Sequence, residues 1–233
     1  KEGHRVMDKK QQHHTVMDYL RWRGDLTFAA DPFNEVDQLI FCIIAYLNFR
    51  RFPSLTTVKA GEATPLRTLA PLLRSEDEQQ GLSQLEYLPL LRAAAESRRF
   101  GEVGIFGYVT EKDISEEKQF DAVSFRLPDG SLFCAFMGTD ISIIGWKEDL
   151  NLSHLPTVPA QRRAVAYVEA IAAANRGRLL RLGGHSKGGN LAMYAALNVS
   201  PRVQKRIAAA YNNDGPGFAV SPWKEERYLP MAE

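Results

Sequence analysis

Apolar positions along the chain follow two different periods. Up to about residue 98 they recur at helical spacing. Met17, Leu20 and Trp22 place a short helix over Val16 to Arg23. Asp31-Pro32-Phe33-Asn34 reads as a helix start. Val36, Leu39, Ile40, Ile43, Ile44 and Leu47 then share one face of a helix from Glu35 to Phe49. Residues 50–80 form a connection punctuated by proline and charge, with one helical piece. Leu82 to Ser97 reads as a further helix kinked at Pro89. Residues 1–16 are polar and read as a frayed end.

Beyond residue 98 the pattern shortens. Val103 to Val109, Gln119 to Leu127 and Ser131 to Met137 read as strands. Pro128-Asp129-Gly130 joins the last two as a hairpin, because proline presets φ and glycine supplies a positive φ. A helix over Pro159 to Asn175 stops at Gly177. Strand Leu179 to Leu182, helix Asn190 to Asn198 and strand Ile207 to Asn212 follow. From about 130 onward strands and helices alternate. That order predicts an α/β fold with a mostly parallel sheet covered by helices. The expected division is a mostly helical N-terminal extension, 1–98, and a core over 99–233. There are no internal repeats.

Composition fits a globular chain: 233 residues, 45% hydrophobic and 24% charged. A net charge of +1 gives no footprint for nucleic acid or an anionic membrane surface. Cys42 and Cys134 sit in apolar runs and read as buried free thiols, which points to a reducing, cytoplasmic setting. Lys1 to Gln12 lacks the apolar region of a secretory signal. Leu39 to Phe49 is too short to span a bilayer, so no integral membrane segment is expected. His4, His13 and His14 read as part of a solvated terminus rather than a metal tract. No phosphate-binding loop and no paired Cys or His-x-x-x-His is present, so neither cofactor nor metal is expected.

The candidate chemistry lies in Gly184-His185-Ser186-Lys187-Gly188. Gly-x-Ser-x-Gly is weak by itself. Here an apolar strand runs into it and a helix runs out, the context of a nucleophile elbow. The glycines leave room for a strained turn, and the helix start directs N–H groups and partial positive charge at the serine oxygen. Ser186 is therefore the expected nucleophile, and the Lys187 backbone N–H the first oxyanion donor. A second donor is expected from Gly138-Thr139-Asp140, at Thr139 or Asp140. The bland alternatives are a glycine-rich helix start with a bystander serine, and a simple strand-ending turn.

Several segments together carry a resemblance. Phe136-Met137-Gly138-Thr139-Asp140, Gly145-Trp146-Lys147-Glu148-Asp149-Leu150-Asn151, Gly183 to Ala192 and Asn212-Asn213-Asp214-Gly215-Pro216-Gly217-Phe218 are among them. With Asp18 to Asp25 and Pro32 to Asp37, the chain resembles an uncharacterised bacterial α/β-hydrolase-like family (Mbeg1-like, a domain of unknown function). That family is distantly related to the class 3 lipases. The resemblance implies an α/β-hydrolase core, Ser186 as nucleophile and an oxyanion loop at Gly138 to Asp140. It also implies that Trp146 and Asp149 brace that loop, and that a lid falls over Leu152 to Pro159. Met137 stands where the pattern usually has arginine, which leaves the setting of the loop open.

A Ser-His-acid mechanism needs an imidazole, and no histidine follows Ser186. Asp214 is a tentative acid; a turn-forming aspartate is the alternative. Three readings stay open. The chain is a fragment whose last strands and histidine lie elsewhere, it is a degenerate hydrolase, or Lys187 or His154 serves as the base. The first is preferred, because about 135 residues are few for a closed core and the last strand would leave an open edge. The expected function is a serine hydrolase, an esterase or lipase-like acyl hydrolase using an acyl-Ser186 intermediate. The alternative is a degenerate binding or scaffold protein on the same fold. The expected partners are a small acyl or ester substrate, and a C-terminal segment or second chain that completes the fold.

Overall fold

In the computed structural model, which describes residues 15–77, 87–140 and 142–219, both parts of the chain build on one six-stranded sheet. Its strands are β1 (Thr64–Pro65), β2 (Gly104–Asp113), β3 (Lys118–Arg126), β4 (Leu132–Phe136), β5 (Leu180–His185) and β6 (Ile207–Asn213). They lie side by side in chain order. The first four pair antiparallel, and β4–β5 and β5–β6 pair parallel. The fold is α/β, but the sheet is mixed rather than mostly parallel. Connection length explains this correction: residues 114–117 and 127–131 are too few for a crossover, so β2, β3 and β4 must reverse direction. The expected Pro-Asp-Gly turn forms, with Gly130 at φ 81°.

The helices are α1 (Val16–Arg23), α2 (Glu35–Ile44), α3 (Leu66–Leu69), α4 (Tyr87–Glu96), α5 (Ile143–Leu152), α6 (Pro159–Ala174), α7 (Lys187–Asn198) and α8 (Pro201–Gln204). Two buried apolar clusters divide the core. One joins α1, α2 and α4 to the sheet, and the other joins α6 and α7 to it. Residues 15–98 thus supply much of one layer and the edge strand β1. No helix among the described residues is long and apolar enough to cross a membrane.

Two helices depart from the sequence reading, and a third is described only in part. Helix α2 is capped by Asn34, whose side chain accepts from Val36 N and Asp37 N, but it ends at Ile44 rather than Phe49. Its buried residues include Asp37 and Gln38, while Val36 and Leu39 are only half-buried. Asp37 turns inward to meet Arg99, at 2.7 and 2.5 Å, with both side chains fully buried. Of the expected Leu82 to Ser97 helix, residues 82–86 lie outside the described ones, and the described part, Tyr87–Glu96, is helical with Pro89 inside it. Helix α5 was not expected as a helix at all. Gly145, Glu148 and Leu152 are its buried residues, while Ile143, Trp146 and Leu150 face solvent, so its apolar pattern is inverted.

Candidate active site

Strand β5 ends at His185 and helix α7 starts at Lys187, leaving Ser186 alone in the turn. Its backbone sits at φ 56°, ψ −131°, where a side chain is strained by on the order of 1–3 kcal/mol. The surroundings fix it there. Ser186 N donates to Asn213 O at 2.9 Å, across to the end of β6, and Gly189 N donates back to Ser186 O at 2.8 Å. The glycines are needed for contact. A Cβ at Gly184 would meet Gly188, one at Gly188 would overlap the Phe136 carbonyl on β4, and one at Gly189 would overlap the Asn212 side chain. Helix and strands therefore approach closer than any other residue permits.

The Gly138–Asp140 loop leaves β4 beside this turn. A Cβ on Gly138 would lie 2.8 Å from His185 O and 3.2 Å from Ser186 Cβ. Gly138 O accepts from Gln119 Nε2 at 3.4 Å. Because the C=O and N–H of a trans peptide point in opposite directions, this anchor aims the Thr139 N–H away from Gln119. The Thr139 hydroxyl donates to Asp149 Oδ2 in a short hydrogen bond. Asp140 is held by Lys112 and by Ser142, whose N–H donates at 2.9 Å. Among the described residues, neither Thr139 N–H nor Lys187 N–H has a protein acceptor. Lys187 is the first residue of α7, so no carbonyl of that helix reaches its N–H.

The charges are placed asymmetrically. The Lys187 side chain runs inward, fully buried, to Gln119 O (2.9 Å), Gln119 Oε1 (2.6 Å) and Glu148 Oε2 (3.0 Å). Glu148 also accepts from Gln119 N at 3.1 Å and Ala160 N at 2.9 Å, tying β3, α5, α6 and the elbow together. Burial pushes the carboxyls of Asp121 and Asp149 above the ordinary range. Burial pushes Asp140 the same way, but Lys112 and Ser142 outweigh it and hold its carboxyl low. Asp149 Oδ1 is buried with no partner among the described residues.

The structure thus brings the loop that carries Thr139 and Asp140 against Ser186 and Lys187 through Gly138. The carboxylate of Asp140 is committed to Lys112 on β2 and to Ser142, which leaves backbone N–H groups as the free donors of that segment. Of the two residues expected to brace the loop, Trp146 is 54% exposed, while Asp149 bonds the Thr139 hydroxyl. Asp214 follows β6 at φ 55° with its side chain exposed, the geometry of a turn former. Its loop still belongs to the site. Asn190 Nδ2 donates to Pro216 O and Gly217 O at 3.1 and 3.0 Å, and Gly215 packs on Ser186 O. His154 is exposed, with Nδ1 on Leu150 O at 3.0 Å. His185 Nδ1 is 2.9 Å from Tyr46 Oη.

Sequence reasoning missed four supporting residues, Gln38, Tyr46, Gln119 and Asn213. Gln38 and Asn213 exchange side-chain hydrogen bonds at 2.8 and 2.9 Å, and Asn213 Nδ2 also reaches Gly184 O at 3.1 Å. The two thiols lie near the site but are inert. Both are fully buried, and burial raises the Cys42 thiol and takes that of Cys134 up to about 12. Among the described residues no group of three His, Cys, Asp or Glu is placed to hold a metal ion. Two clefts of about 610 and 620 Å³ lie in the N-terminal layer, one beside Arg67 and Arg92 and one beside Trp22 and Leu39, away from Ser186.

Comparison with curated proteins finds no match, and neither does comparison with solved structures. A family model does match, that of Mbeg1-like proteins, over residues 94–233. That span holds β2 to β6, the Gly138–Asp140 loop and the turn at Ser186. It covers more than half of the chain, and the protein belongs to the Mbeg1-like family.

Proposed function

We propose that the protein is a serine hydrolase of the α/β-hydrolase type, distantly lipase-like, that acts on acyl esters. The observation that carries this reading is the strained backbone of Ser186 at a strand-to-helix turn, held beside N–H groups that lack acceptors. Strain of that kind persists only where surrounding contacts enforce it, and it lifts the hydroxyl clear of strand and helix. Ser186 Oγ attacks the ester carbonyl carbon, and its proton passes to a base. The carbonyl oxygen becomes an oxyanion held by the N–H groups of Lys187 and Thr139. Collapse expels the alcohol, which takes a proton, and leaves an acyl-Ser186 ester; water then releases the acid by the same path.

Exposed Ile143, Trp146 and Leu150 flank the oxyanion loop, with exposures of 76%, 54% and 68%. This apolar rim favours a substrate with an apolar acyl portion over a small polar ester. The base is proposed to come from outside the described residues. The Ile207 to Tyr211 run of β6 is apolar yet nowhere fully buried, and a further strand along it would complete its burial.

A fluorophosphonate probe on the full-length protein tests the proposal. Covalent label on the wild type and none on Ser186→Ala is expected. Equal label on both, or none on the wild type, overturns it. The second reading, a binding protein on a degenerate hydrolase fold, is favoured by one observation: neither described imidazole bonds Ser186, since His185 is engaged by Tyr46 and His154 by Leu150 O. That reading predicts an unlabelled wild type that still binds acyl compounds.

A further inference from the structure

We propose that Tyr46, from the N-terminal helical layer, is a positioning residue that clamps the oxyanion loop to the nucleophile elbow through its single hydroxyl. The inference rests on the hydrolase reading and goes beyond it, because the family match begins at residue 94 and does not include Tyr46. The hydroxyl meets both halves of the site. It accepts the Gly138 N–H at 3.2 Å, and it is 2.9 Å from Nδ1 of His185, the residue before the nucleophile. Gly138 lies between them with no space left. A Cβ there would overlap the Tyr46 hydroxyl, and Ser186 Cβ is next in line at 3.2 Å.

The clamp governs a direction. Gly138 is gripped on both sides, the peptide before it at its N–H by Tyr46 and the peptide after it at its C=O by Gln119, so the N–H of that second peptide, Thr139's, has little freedom to turn. An oxyanion donor acts only if it is aimed before the charge develops. Met137, which leads into the loop, is itself buried and apolar. A polar anchor from the opposite layer supplies what that side chain cannot.

Tyr46 is in turn rigid. It follows the last turn of α2, is buried, and its ring stacks on Tyr87 at 5.3 Å with planes 6° apart. Burial pushes its phenol pKa up, so the hydroxyl stays neutral and keeps both donor and acceptor capacity. Two N-terminal contacts thus support the elbow: Gln38 beneath it through Asn213, and Tyr46 beside it through Gly138 and His185.

Tyr46→Phe in the full-length protein removes the hydroxyl and leaves the stacked ring. Fluorophosphonate inactivation of Ser186 is followed against probe concentration. The limiting rate is expected to fall about 10- to 100-fold with the half-saturating concentration unchanged, since aim and not binding is lost. His185→Asn, which keeps a group able to bond the phenol, is expected to lose less. A labelled wild type with Tyr46→Phe reacting at the same rate overturns the clamp and leaves the hydrolase reading standing. An unlabelled wild type overturns both. Should Tyr46→Phe fail to fold, hydrogen exchange of the wild-type Gly138 amide decides: exchange as slow as that of β5 is expected, and exchange within seconds overturns the proposal.

Discussion

The helices on the two faces of the sheet pack against it by different means. The N-terminal face is aromatic. Phe41 on α2 stands 4.6 Å from Phe125, 5.3 Å from Phe133 and 5.6 Å from Phe100, ring centre to ring centre. The C-terminal face has rings of its own, Phe120, Phe136 and Tyr167, but α6 and α7 bring more alanine to it than any other residue. Ala160 and Ala164 on α6 and Ala192 and Ala195 on α7 are all fully buried. Large rings remove much area from water and hold their layer at a distance that side chains must span, as Tyr46 and Gln38 do. Small residues let α7 lie against β4 and β5, so that Ser186 emerges in a turn with no slack. One face contributes reach, the other proximity, and the candidate site lies where they meet.

Two ion pairs are fully buried among the described residues, Arg99–Asp37 on the aromatic side and Lys187–Glu148 at the elbow. Replacing one partner leaves the other charged and alone. Arg99→Leu and Lys187→Leu are each expected to cost about 3–5 kcal/mol in urea unfolding. They should part in their effect on the site. At a urea concentration where both variants remain folded, Arg99→Leu is expected to keep wild-type labelling of Ser186, and Lys187→Leu to lose most of it. Equal loss in both would mean that the elbow depends on global stability alone, and the distinction between the faces would fail.

Volume changes sharpen the same contrast with opposite signs. Phe41→Ala empties the ring cluster and is expected to cost about 3–5 kcal/mol. Ala195→Leu overfills the alanine face and is expected to cost about 1–3 kcal/mol. Chemical denaturation measures both. The reverse ranking would show that the alanine contacts of α7, not the aromatic cluster, carry the larger share of the core.

How far the sequence foretold this depends on where each signal resides. Local chemistry is legible. Thr15 and Asp18 bracket the start of α1, and the helix spans the expected Val16–Arg23. Pro128-Asp129-Gly130 makes its turn, and Gly-x-Ser-x-Gly sits between strand and helix as its glycines require. What is missing needed partners distant along the chain. Nothing near Asp37 indicates Arg99, 62 residues away; the expected face of α2 is buried at Ile40, Ile44 and Leu47, while Asp37 and Gln38 rather than Val36 and Leu39 are buried near its start. Tyr46 and His185 are 139 residues apart, and Gln38 and Asn213 are 175 apart. Helix α5 failed differently: its core-facing residue is Glu148, and a period-based reading assigns charge to solvent. The mixed sheet was half legible, because the β3–β4 hairpin was read while the β2–β3 reversal was not.

The smallest expected effect concerns the charges gathered at the site. Around the one Lys187 ammonium stand the carboxyls of Glu148, Asp149 and Asp121, and burial raises the last two. Asp121 is 2% exposed and accepts from Gln119 Nε2 at 2.6 Å. Its folded pKa lies above the unfolded value, so the folded state holds the proton more tightly. The stabilisation this brings is present in full below the unfolded pKa and is lost as pH rises through the folded pKa. At neutral pH the ionised group is therefore a net cost. Asp121→Asn keeps an acceptor for Gln119 and removes the charge. Its Tm is expected to exceed that of the wild type at pH 7, and the gap to close as pH falls through the raised pKa of Asp121. A gap that persists in acid would place the cost in packing. A variant less stable than the wild type at pH 7 would show that Lys187 needs a second counter-charge, and that the strained end of the sheet is held by its carboxylates rather than in spite of them.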